Sequence, residues 1–418
     1  MSNGTETTTV PLRAWIVAGI FLPLAGGYFL SFLFRSINAM IAPHLVAELE
    51  LSASQLGLMT AAYFLGFGLF QLPLGILLDR FGPARVQSLL LAVAAFGSLL
   101  FSYGETFGIL TLGRALIGVG VAGGLMSSFT AFTLWLPHRL LPLANGCFMA
   151  FGGLGALAAT KPVAWALELT DWRGLFFALA VATAVVAVLV GLCLPKFQRR
   201  NGTGGFREQL RGLSIIYRSR LFWRVAPLTI TTIATGLSVQ GLWAGTWLRD
   251  VAGLPPSAVA NHLTLIAVGL TVGPALSGIV AEAARRNGVS LLSLLGVMAF
   301  LYMIVQAMIV LEWTSVSILL WTGFGLLINA MALSYAILSQ AFDRSLAGRV
   351  NTNLNMLMIA FAFASQYSVG WIIEFWPPAA GGGYAPQAYQ VGFGVLLATQ
   401  IAAFLWFLLA RYDTVRSA

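Results

Sequence analysis

Arg35 lies in an apolar stretch from Tyr28 to Pro43 that holds no other charged residue. A guanidinium keeps its charge at any pH a protein meets. Placing a charge at the centre of a bilayer costs at least about 2.5–3.5 kcal/mol. Such a residue persists where it faces a polar cavity or a partner. The chemistry it offers is the binding of an anion, gripped by two parallel N–H donors where the anion is a carboxylate. Asn38 follows at i+3, on the same helical face. With Pro43 taken as the helix end, Arg35 lies 8 residues inside it, about 12 Å at the helical rise.

Other polar residues inside apolar runs extend this set. Arg114 is a second cation of the same kind, with a structural or coupling role as its alternative reading. Gln240 and Trp243 recur at helical spacing, and their amide and indole N–H groups suit carboxylate or hydroxyl oxygens. Tyr63, Asn329 and Tyr335 are polar within apolar surroundings, where each requires a partner. For all of them hydrogen-bonded packing between helices is the competing reading. Lys161 sits close enough to a helix end to reach the interface. Asn351, Asn353 and Asn355 open one segment, which reads as helix capping and a network near one membrane face.

Absences narrow the chemistry. The chain has 14 acids, all in loops, tails or helix ends. A proton relay through the membrane needs an internal titratable group, which leaves His262 or the acid group of the substrate itself. Cys147 and Cys193 both fall in apolar runs, and the 11 Met are scattered with no repeating Met/His pair at i, i+4, so neither a disulfide framework nor a metal site is expected. No phosphate-binding glycine loop, nucleophile elbow or Cys/His ligand set appears. An enzyme and a cofactor are therefore not expected.

The elements that would position these residues are membrane helices. The chain is 418 residues long, 59% hydrophobic and 9% charged, with a mean hydropathy of +0.87, whereas a soluble domain carries about 25% charged residues. Apolar segments long enough to span a bilayer lie near 14–43, 55–78, 84–103, 108–136, 144–166, 173–195, 224–248, 257–281, 289–311, 315–342, 351–375 and 389–411. The expected fold is an all-α membrane protein with twelve transmembrane helices in two pseudo-symmetric six-helix bundles, residues 1–195 and 224–418. A basic linker, 196–223, joins them. Lys and Arg gather on the side of the linker and of both termini, and acids gather on the other. The positive-inside rule then puts both termini in the cytoplasm of a multi-pass inner (plasma) membrane protein. The linker cations face anionic lipid rather than nucleic acid, and a monomer is expected.

The halves echo each other. Gly75-x-x-x-Asp79-Arg80-x-Gly82-x-x-Arg85 follows the second segment, and Gly278-x-x-x-Glu282-x-x-Arg285-Arg286-x-Gly288 follows the eighth. The first resembles the signature of the major facilitator superfamily, and the second resembles its degraded second-half copy. Arg114-x-x-x-Gly118-x-Gly120 is similar to the superfamily's fourth-helix element. The resemblance implies alternating access with substrate between the halves. It makes Asp79, Arg80, Arg85, Glu282 and Arg285 conformational residues. The first helix resembles the organic-anion symporter and organophosphate antiporter branches, which makes Arg35 the anion-binding position. The second cation those antiporters carry on the seventh helix is absent near Gln240, and the second-helix lysine is absent near Gln71. The implied substrate is therefore a small carboxylate, imported, with a proton as candidate co-substrate. The alternative is a proton-coupled drug or metabolite exporter of the same superfamily.

Overall fold

The computed structural model describes residues 14–195, 214–342, 344–379 and 382–410, and among them every regular element is a helix. Twelve spans follow in order. The first half holds α1 (Ala14–Ser36 continuing as Asn38–Leu49), α2 (Ala53–Phe81), α3 (Pro83–Ser102), α4 (Phe107–Val121 and Gly124–Trp135), α5 (Leu141–Ala158 and Lys161–Leu169) and α6 (Trp172–Cys193). The second half holds α7 (Arg220–Ser238 continuing to Asp250), α8 (Pro256–Arg286), α9 (Leu291–Val310), α10 (Ser317–Ile328 continuing to Ala341), α11 (Arg344–Ile373) and α12 (Pro386–Leu409). Eleven of these are long and apolar enough to cross a membrane unaided. The two segments of α5, bent by 45°, make the twelfth when taken as one span. The expected fold class holds. α7 starts at Arg220, inside the segment expected as linker, and residues 196–213 of that segment lie outside the described residues.

Sequence chemistry explains where helices start and where they bend. Ser52 caps α2 in a reciprocal box with Gln55, and the Asp171 carboxylate caps α6 through the Gly174 N–H at 2.7 Å; each satisfies donors that a helix start leaves open. Prolines inside helices remove an N–H and free the carbonyl four residues earlier. Pro227 frees Trp223, whose carbonyl accepts from Trp406 Nε1 at 2.6 Å. Pro274 frees Leu270, whose carbonyl accepts from Asn329 Nδ2 at 2.7 Å. Pro43 frees Ala39, and Gly245 of α7 packs against that carbonyl so closely that a Cβ there would collide with it.

Pro43 therefore does not end α1. The helix runs on to Leu49, which puts Arg35 14 residues from its end, about 21 Å. That is near mid-depth rather than close to one mouth. Within the first half, Gly118 and Gly120 let α4 lie on α2 and α3: a Cβ at Gly118 would fall on the Tyr63 carbonyl, and one at Gly120 on the backbone around Ala94. Between halves, α2 packs along α11 and α5 along α8, where Thr160 and Thr264 share a hydrogen bond of 2.9 Å.

Replacing Gly118 by Val forces α4 off α2 and costs about 1–3 kcal/mol, the usual penalty for overpacking. Thermal unfolding of the purified variant in detergent is expected several degrees below that of the native chain. An unchanged transition would remove the close approach as a determinant of the bundle.

Candidate anion site between the halves

α1 is interrupted at Ile37, two residues past Arg35, and the segment around the break is held from three sides. Tyr63 of α2 donates its hydroxyl to the Ser31 carbonyl at 3.2 Å. Arg114 of α4 donates Nη1 to the Phe34 carbonyl at 3.0 Å. Asn38 donates Nδ2 to Thr60 Oγ1 of α2 at 2.8 Å. From the other half, Gln240 of α7 donates Nε2 to Ser36 Oγ at 3.0 Å. Gln240 sits in a π-helical turn, Val239–Trp243, and one extra residue per turn re-aims a side chain in this way. These groups fix the backbone that carries Arg35.

Arg35 is the member of the set that points elsewhere. It lines a cavity of about 520 Å³ between the halves, within the size range of small-molecule sites. Its guanidinium carbon lies 4.6 Å from the Phe32 ring centre and 5.7 Å from that of Phe67. The negative ring faces give the cation part of what water would give it. Its Nε–H is buried and has no hydrogen-bond acceptor among the described residues. The remaining polar lining is neutral: Tyr28, Ser31 and Gln71 from the first half, Tyr335, Asn351, Thr352 and Asn355 from the second. No Asp or Glu lines this space among the described residues. One fixed cation with an open donor thus stands in a chamber otherwise uncharged among the described residues.

The cavity runs from Arg35 along α11 to Gly348, near the start of that helix. It therefore lies toward the face where α1 begins and α12 ends, the terminal face. Toward the opposite, far face the halves are pressed together. The Ser54 N–H at the start of α2 donates to Glu374 Oε1, just past the end of α11, at 3.1 Å. Gly370 of α11 rests on the Ala53 carbonyl of α2. Within the second half the fully buried Trp243 donates Nε1 to the Gln366 carbonyl at 3.1 Å, and Gly57 of α2 packs against both.

The structure thus sorts the residues singled out in the sequence. Arg35 and Tyr335 face the cavity. Asn38, Tyr63, Arg114 and Gln240 hold the α1 segment behind Arg35 and do not line it. Asn38 keeps its place one turn after Arg35 but spends its amide on Thr60 of α2 and does not reach the cavity. Arg114 is fully buried, with its guanidinium 5.5 Å from the Tyr63 ring. Its Nε and Nη2 have no acceptor among the described residues. Trp243 belongs to the far-face seal, and Asn329 serves the carbonyl freed by Pro274. His262 is buried away from the cavity, its ring nitrogens 2.8 Å from the Ala258 carbonyl and 3.0 Å from Ser317 Oγ.

At the terminal face Asp79 and Arg85 are exposed, and Arg80 stacks on Phe81 at 5.2 Å. Glu282 binds Arg285 at 2.8 Å and Arg286 at 3.0 Å. The lining residues Tyr28, Gln71, Asn351 and Asn355 were not among the expected ligands. For Asn355 the readable signal is the stripe of Gly348, Thr352, Asn355 and Ile359 at helical spacing on α11.

Comparison with known proteins agrees with this geometry. The family model described as Major Facilitator Superfamily matches residues 24–366. The chain is 25% identical to a probable sulfoacetate transporter of Cupriavidus necator over 61% of its own length and 62% of the relative's. It is 26% identical to a hexuronate transporter of Escherichia coli over 45% of this chain and 42% of that one. These matches thus span less than two thirds of either relative. In three dimensions it resembles a bacterial homologue of the human lysosomal transporter Spinster in an inward-facing, unoccupied conformation. That likeness has a TM-score of 0.79 at 17% identity, covering 95% of this chain and 97% of that chain, which speaks to the fold.

The Glu374 contact gives the far-face seal a pH dependence. Burial raises the carboxyl, but hydrogen bonds from Ser52 and Ser54 outweigh it and hold the pKa below the ordinary value. A group depressed in the closed state stabilises that state above the ordinary carboxylate range, and the stabilisation fades as pH falls through the depressed value. With spin labels at Glu105 and Glu312 and both native cysteines replaced, the far-face distance is expected to lengthen as the pH is lowered. Glu374→Gln should show the longer distance at every pH, and an unaltered pH profile in that variant would exclude Glu374 as the latch.

Proposed function

Because the chain belongs to the major facilitator superfamily, we propose that it is a secondary transporter that carries a small organic anion, held by Arg35, between the two faces of the inner membrane. The single observation that carries this reading is the Arg35 chamber, with one non-titrating cation, an unpaired buried donor and no acid. A carboxylate or similar singly charged head satisfies the open Nε–H and neutralises the guanidinium at once. A doubly charged phosphate ester would bring a second charge with nothing to meet it. The names of the relatives, sulfoacetate and hexuronate transporters, support small organic anions in general, hexuronate with one charge and sulfoacetate with two.

The conformational cycle follows from the seams. The proposed rigid units are residues 1–195 and 224–418 joined by 196–223, with α2–α11 and α5–α8 as the contacts that open and close. Import places the far face outside the cell and both termini in the cytoplasm, in keeping with the cations of the terminal face. Asp79, Arg80 and Arg85 in one half, and Glu282 and Arg285 in the other, then latch the terminal face when the far face opens. A co-transported proton enters either on the acid group of the substrate or through His262. An exporter of cationic drugs is disfavoured, since a chamber lined by Arg35 and no acid repels a cation.

In proteoliposomes, Arg35→Ala is expected to lose saturable uptake of organic acids, and its ligand-induced thermal shift with them. Removing charge-assisted hydrogen bonds worth about 1.5–3 kcal/mol weakens affinity about ten- to hundredfold. Arg35→Lys keeps the charge without the planar fork and should retain part of the binding. Equal stabilisation of the native chain and Arg35→Ala by the same acids would refute the assignment.

A further inference from the structure

We propose that Asn355 is the second-half contact for the substrate, and that it selects acids carrying a hydroxyl group a few bonds from the charged head. The inference rests on the organic-anion reading of the Arg35 chamber and deepens it. Three asparagines lie in the first half of α11, inside the helix rather than at its start, and their side chains are spent differently. Asn351 Nδ2 donates to Ser339 Oγ at 2.9 Å. Asn353 is buried, donating to the Arg349 carbonyl at 2.7 Å and accepting from Tyr217 at 3.2 Å. Asn355 lines the cavity and makes no hydrogen bond among the described residues.

A cavity-facing amide with no protein partner leaves its donors and acceptor to whatever enters. Half-buried Asn355 stands beside Met358 and Ile359 on α11. The amide offers two donors and an acceptor, the set that reads a hydroxyl group as donor, acceptor or both. The rest of the chamber repeats the pattern. The Tyr28 and Tyr335 hydroxyls touch only thioether sulfurs, Met149 at 3.5 Å and Met358 at 3.9 Å. Thioethers are weak acceptors, so both hydroxyls remain available to a ligand. Among the described residues the second-half wall holds no cation to pair with a second carboxylate.

The placement also has a mechanical consequence. Arg35 belongs to α1 of the first half and Asn355 to α11 of the second. An acid held at its head by Arg35 and at its hydroxyl by Asn355 ties the two halves together across the open part of the cavity. An acid without the hydroxyl is held by one half alone.

The test uses matched acids that differ only in hydroxyl groups: gluconate and hexanoate, lactate and propionate, 4-hydroxybenzoate and benzoate. Competition against a transported acid in proteoliposomes gives the affinity ratio within each pair. In the native chain at least one hydroxylated acid is expected to bind about three- to tenfold better than its partner, the worth of one neutral hydrogen bond. Asn355→Leu, similar in size, should abolish that ratio while leaving the plain acid unchanged. Asn355→Ser serves the same comparison if the leucine variant does not fold, and should reduce the ratio in part.

A ratio untouched by either substitution, or no preference in any pair, overturns the role of Asn355. If Arg35→Ala still abolishes binding of both acids, the anion reading survives that result. Acid binding that is indifferent to Arg35 overturns both.

Discussion

A guanidinium that cannot give up its proton, placed near the middle of a membrane helix, is the constraint around which this molecule is arranged. Arg35 needs ring faces, a polar space and an opposite charge. The fold provides the first two: Phe32 and Phe67 flank it, and a cavity between the halves opens in front of it. Behind it, the α1 backbone is held at Ser31, Phe34, Ser36 and Asn38 by side chains from α2, α4 and α7. A binding group is only as exact as the frame that carries it, and here most of the polar side chains near Arg35 belong to that frame.

The frame is built from backbone groups that the sequence deliberately leaves open. Prolines in α1, α7 and α8 free carbonyls, and a neighbouring helix meets each one, by an indole N–H, an amide, or the bare backbone of a glycine. In a bilayer no water is present to satisfy such groups, so each bent helix specifies its neighbour. The same logic sets the seam between the halves. Gly370 and Gly245 allow the far-face ends of the spans to touch backbone to backbone, whereas the terminal-face ends enclose the cavity.

The sequence made much of this readable. Twelve apolar runs and their pairing into halves follow from length and composition alone, and the signature at Asp79 and Arg80 marks the superfamily without any coordinates. Arg35 stands out because a single charge in an apolar helix has few explanations. The rest was hidden for physical reasons. Spans such as α2 and α10 are apolar around most of their circumference, so periodicity does not tell a cavity-facing polar residue from one that serves a neighbouring helix. Tyr63, Arg114, Asn38 and Gln240 all carried that ambiguity. Pro43 looked like a terminus because proline often is one, yet α1 continues once Gly245 covers the freed carbonyl. Asn355 was hidden among three asparagines that the apolar run places at a helix start, where capping is the ordinary reading, and only the hydrogen-bond partners separate it from the other two.

The most direct test is to see the anion in place. A cryo-EM map of the full chain in a lipid nanodisc, saturated with the organic acid that stabilises it most, locates the carboxylate. The account predicts its oxygens within hydrogen-bonding distance of the Arg35 guanidinium, about 2.7–2.9 Å, with Arg114 still bonded to the Phe34 carbonyl. An acid seated elsewhere, with Arg35 stacked on its phenylalanines and bound to nothing, would contradict it.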